Sequence, residues 1–227
     1  MSALFRPILA GGTLPDRLFA CAGALVGIAL TSLASAALVH PHLSLLMIVA
    51  PMGASAVLVF AVPASPLAQP WPVVGGNVIS ALVGIAVARL VPVPEIAVGL
   101  AVGGAILLMS LTRSLHPPGG AAALTAVIGG PAVAAQGFGF ALVPVGLNAL
   151  ILAVCGIAFH RWSGHSYPHR PVPVASHRPQ APTDEPHPED VDKALDDLGE
   201  TFDVSREDLD LLFRRVAFHA AERRRRG

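Results

Sequence analysis

The sequence predicts an all-α protein, a polytopic membrane bundle of about five or six helical elements. Three observations support this prediction. Apolar residues make up 53% of the 227-residue chain, and its mean hydropathy is +0.64. Few charges occur up to residue 160, whereas the remainder is dense in both signs. Two proline and glycine breaks, at residues 51–56 and 116–120, interrupt apolar stretches. Such a chain has a membrane domain followed by a polar segment.

Six apolar stretches are candidates for crossing a membrane, which takes about 20 apolar residues in a helix. They are residues 18–39, 43–62, 73–91, 96–112, 117–130 and 138–159. The fifth is short for a complete crossing. The first is longer than the core of a secretory signal and another apolar stretch follows it, so we expect a retained helix.

Basic residues predict the orientation. With six crossings, Arg6, Arg17, Arg113 and Arg161 fall on one side of the membrane, and Arg89 lies near the other. Because cytoplasmic loops are enriched in lysine and arginine, we expect both termini in the cytoplasm. The predicted location is the bacterial inner membrane.

The two breaks resemble each other. Aligning residues 51–56 (PMGASA) with residues 117–122 (PPGGAA) sets proline on proline and Gly53 on Gly119. An apolar stretch, a connection with proline or glycine and another span follow each break, and those spans contain Asn77 and Asn148. If each copy has three crossings, the second enters the membrane with opposite polarity. This arrangement is an inverted repeat, on which many secondary transporters are built.

A helix that starts inside a membrane is a candidate anion site. Its first backbone N–H groups lack helical partners, and the peptide dipoles place partial positive charge there. Proline is tolerated at such a start, and glycine allows close approach of a ligand. We therefore predict a paired site, provided that the breaks meet in the fold, with backbone from Pro51, Gly53, Ala54, Gly119 and Gly120.

Polar side chains near the breaks could assist. His116 could donate a hydrogen bond or change charge, or it could only cap the break. Arg113 is either a ligand or a marker of the membrane boundary. Ser55 and Thr125 offer hydroxyls that could instead bond to their own helices. Asn77 and Asn148 are costly to bury, so we expect a bonding role for both, structural or functional.

The sequence contains few residues that could support nucleotide binding, metal binding or enzymatic catalysis. There is no nucleotide-binding loop, and Glu95, between the third and fourth predicted spans, is the only acidic residue from residue 18 to residue 162. The histidines after residue 160 are irregularly spaced in a proline-rich stretch without cysteine, which argues against a metal site. We expect no enzyme activity, no metal and no cofactor. The expected partners are the lipid bilayer and a small anion, with no nucleic acid. The sequence leaves undecided whether the chain forms a homo-oligomer.

We divide the chain into a membrane domain at residues 1–162, a proline- and histidine-rich linker at 163–188, and a soluble helical tail at 189–227. Two amphipathic helices are predicted in the tail. One spans residues 189–198. The other begins near Ser205 and has an apolar stripe formed by Leu209, Leu212, Phe213, Val216 and Ala220.

Residues 114–125 (SLHPPGGAAALT) strongly resemble the signature of the HPP family of integral membrane proteins. Further matching blocks are residues 50–58 (APMGASAVL), 65–71 (SPLAQPW) and 75–77 (GGN), in the same order. The resemblance covers roughly residues 5–162. It implies nitrite transport, which has been associated with plastid and cyanobacterial members. Many bacterial members carry a pair of cystathionine-β-synthase-type (CBS) domains after the membrane region, and the tail resembles the helical lead-in to such a pair.

The sequence thus predicts a permease for a small inorganic anion, with nitrite the first candidate. The alternative is a membrane sensor or scaffold whose cytoplasmic tail engages a partner, with the breaks serving only packing. A membrane-embedded enzyme is the weakest hypothesis, because no nucleophile and base are paired.

Overall fold

The computed structural model describes residues 14–38, 48–169, 188–198 and 206–226. Within these ranges all regular elements are helical and no strand occurs, which confirms the predicted fold class. The helices are α1 (Leu14–Leu38), α2 (Pro51–Ala61), α3 (Asn77–Leu90), α4 (Pro94–Leu111), α5 (Pro118–Ile128), α6 (Gly130–Gln136), α7 (Leu147–Ser163), α8 (Pro188–Leu198) and α9 (Arg206–Arg226).

Four helical segments are long and apolar enough to cross a membrane: Leu14–Leu38, Pro72–Leu90, Pro94–Leu111 and Ala141–Ser163. Wider π-type turns, Pro72–Gly76 and Ala141–Gly146, extend α3 and α7 at their starts. Helices α5 and α6 meet at 97° and together are apolar enough for one bent span. The protein is therefore a multi-pass membrane protein.

The second predicted element is shorter than its apolar stretch. Residues 48–50 form a bend and a turn, and helix α2 begins only at Pro51. Proline favours the first helical turn because its missing N–H has no helical acceptor there. The earlier part of this prediction, residues 43–47, lies outside the described residues.

Two hydrogen bonds show which span ends lie together. The indole N–H of Trp71, just before the Pro72–Leu90 span, donates to the carbonyl oxygen of Thr112, just after α4, at 3.1 Å. The phenol of Tyr167, just after α7, donates to the carbonyl oxygen of Ala68 at 2.9 Å. The start of the α3 span and the ends of α4 and α7 therefore lie at one end of the bundle, which we call the Trp71 end.

The opposite end, which we call the Arg89 end, contains the end of α3 and the start of the α7 span. There the guanidinium of Arg89 lies 4.7 Å from the ring centre of Phe138. Helix α4 begins here, because only residues 91–93 separate it from α3.

Helix α5 runs beside α3 in the same direction. A methyl group added at Gly119 would lie 2.6 Å from Ser80 Oγ, and one added at Gly84 would lie 2.5 Å from the carbonyl oxygen of Ala123. Later residues of α5 thus contact later residues of α3. Small residues along this seam let the two backbones approach closely, as is common between membrane helices.

Helix α2 runs beside α7 in the same direction. The backbone N–H of Val49 donates to Asn148 Oδ1 at 2.9 Å, and the carbonyl oxygen of Val59 lies 2.8 Å from His160 Nε2. Helix α1 is antiparallel to α7, because Asn148 Nδ2 donates to Ser35 Oγ at 2.7 Å while Gly23 lies against Phe159.

These directions divide the domain into two equivalent halves. In the first half, α1 and α3 run away from the Trp71 end and α2 runs toward it. In the second half the directions are reversed: α4 and α7 run toward the Trp71 end and α5 runs away from it. Each short helix packs on the last helix of the other half, α2 on α7 and α5 on α3. The two halves therefore interlock as the inverted repeat that the sequence predicts.

Helices α8 and α9 of the tail pack against each other. Val191 and Leu195 of α8 are buried and pack with Leu209 of α9. The apolar side chains of Leu212, Phe213 and Val216 on α9 are exposed. Most of the predicted linker, residues 170–187, lies outside the described residues.

Candidate functional site

The two short helices α2 and α5, which we call the half-helices, begin with the same backbone turn. The N–H groups of Met52 and Gly53 donate to the carbonyls of Val49 and Ala50, at 3.0 and 3.1 Å. In α5 the N–H groups of Gly119 and Gly120 donate in the same way to His116 and Pro117, at 2.8 and 3.0 Å. When the two turns are superposed, Gly53 corresponds to Gly120, whereas the sequence alignment pairs Gly53 with Gly119. The shift of one residue arises because α5 begins at Pro118.

These turns change the expected chemistry of the breaks. The sequence predicts backbone N–H groups without partners at both half-helix starts. Instead, each start uses its first two available N–H groups within the turn. Side chains therefore supply the hydrogen-bonding groups that remain open, while the helix dipoles still direct partial positive charge to both starts.

The start of α5 lies against the second turn of α2 inside the bundle. The side chains of Ser55 on α2 and His116 just before α5 are fully buried, and Ser55 Oγ lies 2.9 Å from His116 Nε2. His116 Nδ1 lies 2.8 Å from the carbonyl oxygen of Leu67. A carbonyl only accepts, so Nδ1 carries a proton, and in the neutral ring the Ser55 hydroxyl donates to Nε2. This bond joins the two repeats.

Asn77, at the first position of α3, extends this network. Its amide nitrogen donates to the carbonyl oxygen of Val73 at 2.8 Å and to Ser55 Oγ at 3.3 Å. Both amide protons are thereby used. Its Oδ1 atom is buried and has no hydrogen-bond partner within the part of the chain that the structure describes.

Ser80 is a functional candidate that the sequence alone did not indicate. Its side chain is fully buried against the start of α5, and its hydroxyl has no partner among the described residues. The available signal is its spacing, because residues three apart share a helix face and Asn77 is a candidate from the sequence. We call Ser55, Asn77, Ser80 and His116, together with Gly119, the polar junction.

Packing at the polar junction is tight on one side and open on another. A methyl group at Gly119 would lie 2.6 Å from Ser80 Oγ and 3.0 Å from the carbonyl oxygen of Gly76. At Gly53 and Gly120, by contrast, a methyl group would meet nothing within 4 Å. Pro51 is buried at the start of α2, whereas Gly53 and Ala54 are exposed.

Three of the polar side chains predicted for the site lie outside the polar junction. Arg113 is exposed in the connection between α4 and α5. The hydroxyl of Thr125 donates to Ala121 in its own helix at 2.8 Å. Asn148 is fully buried, but its bonds go to Ser35 and Val49, where they tie α1 and the approach to α2 onto α7.

Comparison with known proteins agrees with this architecture. A family model described as "HPP, transmembrane region" matches residues 10–168. Two transmembrane proteins of Dictyostelium discoideum are similar, one 41% identical over 54% of this chain and 44% of its own length, the other 40% identical over 48% and 36%. The chain thus spans less than half of these relatives' length. No solved structure matches. The chain belongs to the HPP transmembrane region family.

Proposed function

We propose that the membrane domain is a permease for a small inorganic anion, with nitrite the first candidate. The observation that carries this proposal is the polar junction, where the two breaks, from opposite repeats, meet through Ser55 and His116. Its side chains are buried, and two of their polar atoms have no partner among the described residues. Helices broken at a repeat interface are typical of the solute sites of secondary transporters.

Electrostatics favours an anion there. The dipole of each half-helix is equivalent to roughly half a positive charge at its start. Residues of α2, α3 and α5 carry only one formal charge, that of Arg89, which is exposed at the Arg89 end. A small anion would therefore meet partial positive charge without a competing fixed charge. Movement of one repeat against the other would expose the site to each side in turn.

We further propose that the protein lies in the bacterial inner membrane with the Trp71 end in the cytoplasm. Arg113 follows α4 and Arg161 lies in the last turn of α7; both helices finish at this end, and both side chains are exposed. At the other end, Arg89 and Glu95 offset each other. The positive-inside tendency therefore favours a cytoplasmic Trp71 end, where α1 also begins.

Nitrite uptake into proteoliposomes tests the proposed transport. We expect uptake above that of protein-free liposomes. We also expect a decrease of about tenfold in His116→Ala, because loss of the bond that holds Ser55 in place at the site, worth about 1.4 kcal/mol, changes binding by that factor. Ser110→Ala is the matched control, because the exposed Ser110 hydroxyl donates to Ile106 in its own helix at 2.7 Å. Equal flux in His116→Ala and the wild type would contradict the site, and flux equal to that of protein-free liposomes would contradict the function.

A second candidate function is that of a membrane sensor or scaffold. It is favoured by the exposed apolar side chains of Leu212, Phe213 and Val216 on α9. A regulatory domain of the CBS type is the proposed partner of this face. Crosslinking of the Leu212→Cys variant to a supplied CBS domain pair, lost when Phe213→Asp is added, would support this function. The same protein would then show no anion flux.

A further inference from the structure

The polar junction contains two buried groups that its internal hydrogen bonds do not use. Asn77 Oδ1 and Ser80 Oγ are both fully buried and lack partners among the described residues. They lie three residues apart and so share one face of α3. Ser80 Oγ faces the start of α5 at Gly119, and Asn77 faces α2 through its bond to Ser55. Buried polar groups in native proteins normally have partners, and an ordered water or a bound solute would supply one here.

The chemistry of the two groups restricts that molecule. The amide oxygen of Asn77 only accepts, and both amide protons already bond, to Val73 and Ser55. A molecule beside it must therefore supply a hydrogen. The Ser80 hydroxyl can donate, so the same molecule can present an oxygen to it. Nitrite and nitrate ions contain no hydrogen, whereas the conjugate acid of nitrite has one O–H group and a second oxygen.

Building on the proposed transport function, we propose that the polar junction takes its solute as a small protonated weak acid. The O–H of the acid donates to Asn77 Oδ1, and its other oxygen accepts from Ser80 Oγ. One anion and one proton from the same side combine, cross together and separate on the other side. Only the O–H bond forms and breaks, and no net charge moves. Nitrite and formate fit this class, whereas nitrate and chloride, the anions of strong acids, do not.

The polar junction itself contains a group that could exchange the proton, His116, which lies in the connection before α5 and contacts Ser55. On the described elements packed against α3, the formally charged residues are Glu95 at the start of α4 and Arg161 near the end of α7. Both are exposed, as are Arg113 before α5 and Arg89 on α3 itself. No fixed charge therefore competes for the proton next to Asn77.

The test uses the full chain in proteoliposomes that contain a pH-sensitive dye, with the membrane potential clamped by potassium and valinomycin. We expect nitrite uptake above that of protein-free liposomes, equal at all clamped potentials and accompanied by one proton per nitrite, with no nitrate uptake. Ser80→Ala should lower nitrite uptake by about tenfold, the effect of one hydrogen bond. This change removes no hydrogen bond recorded in the structure, and Ser110→Ala is the matched control.

The outcomes separate this inference from the proposed function. Entry of nitrite and nitrate alike, driven by the membrane potential and without protons, would overturn the inference and leave anion transport standing. Unchanged nitrite uptake in Ser80→Ala would overturn it as well, because a buried water would then account for both groups. Absence of uptake for every anion would overturn both proposals.

Discussion

The two repeats carry an asparagine at corresponding places, shortly after a π-type turn, and use it differently. In the second repeat, Asn148 bonds through both ends of its amide, to Ser35 and to the backbone of Val49. In the first, Asn77 bonds only through its nitrogen, and its oxygen has no partner among the described residues.

This difference separates a structural role from a candidate binding role. Asn148 ties three segments together and leaves no amide atom open. Asn77 lies where the two breaks meet, three residues before Ser80, whose hydroxyl also has no partner among the described residues. A symmetric pair of breaks thus contains an asymmetric set of polar groups, and the open ones gather around α3.

The largest expected effect is on the structural asparagine. Asn148→Ala leaves the Val49 N–H and the Ser35 hydroxyl without their partner, so we expect a loss of about 2–4 kcal/mol of unfolding free energy. Asn77→Ala should cost about half as much, because one of its polar atoms is already without a partner. Denaturant unfolding in detergent micelles measures both. Equal losses in the two variants would remove the distinction between the asparagines.

The next effect concerns glycines that the sequence aligns. Gly119→Ala brings a methyl group 2.6 Å from Ser80 Oγ, and overpacking of this kind costs about 1–3 kcal/mol. Gly53→Ala meets open space and should be neutral or stabilising by about 0.5–1 kcal/mol, because alanine restricts the unfolded chain. Thermal unfolding of the two variants side by side checks this contrast, and a destabilised Gly53→Ala would argue against it.

A smaller loss is expected from the bond between the repeats. Ser55→Ala leaves His116 Nε2 without its donor, which should cost about 1–2 kcal/mol. Thr125→Val is the control, since the Thr125 hydroxyl bonds within its own helix. The melting temperatures of both variants and the wild type in the same detergent measure this loss of stability. Similar values for Ser55→Ala and Thr125→Val would show that the bond adds no stability.

The smallest expected effect on stability is at Ser80. Ser80→Ala removes a buried hydroxyl that has no partner among the described residues, so the unfolding free energy should stay within about 0.5 kcal/mol of the wild type or rise. Ser35→Ala, which removes the acceptor of Asn148, should lose about 1 kcal/mol. A clear loss in Ser80→Ala would indicate that its hydroxyl has a structural partner.

Much of the fold could be predicted from local sequence. Long apolar stretches predict spans because the requirement for apolar side chains applies residue by residue. Proline and glycine at residues 51–53 and 117–120 predict where helices begin, since both residues act through their own backbone. The candidate site was only partly predictable. His116 and Ser55 adjoin the breaks, whereas nothing near Ser80 in the sequence marks its hydroxyl as unpartnered.

The sequence by itself determined that this protein is a helical membrane domain with two matching breaks, because hydropathy and helix breaking are local properties. Only the tertiary structure decided that the breaks meet through Ser55 and His116, that the first N–H groups of each half-helix are used, and that Asn148 is satisfied while Asn77 is not. The physical reason is that a hydrogen-bonding group is defined by its partner. For His116 and Asn148 those partners belong to the other repeat and lie far away along the chain.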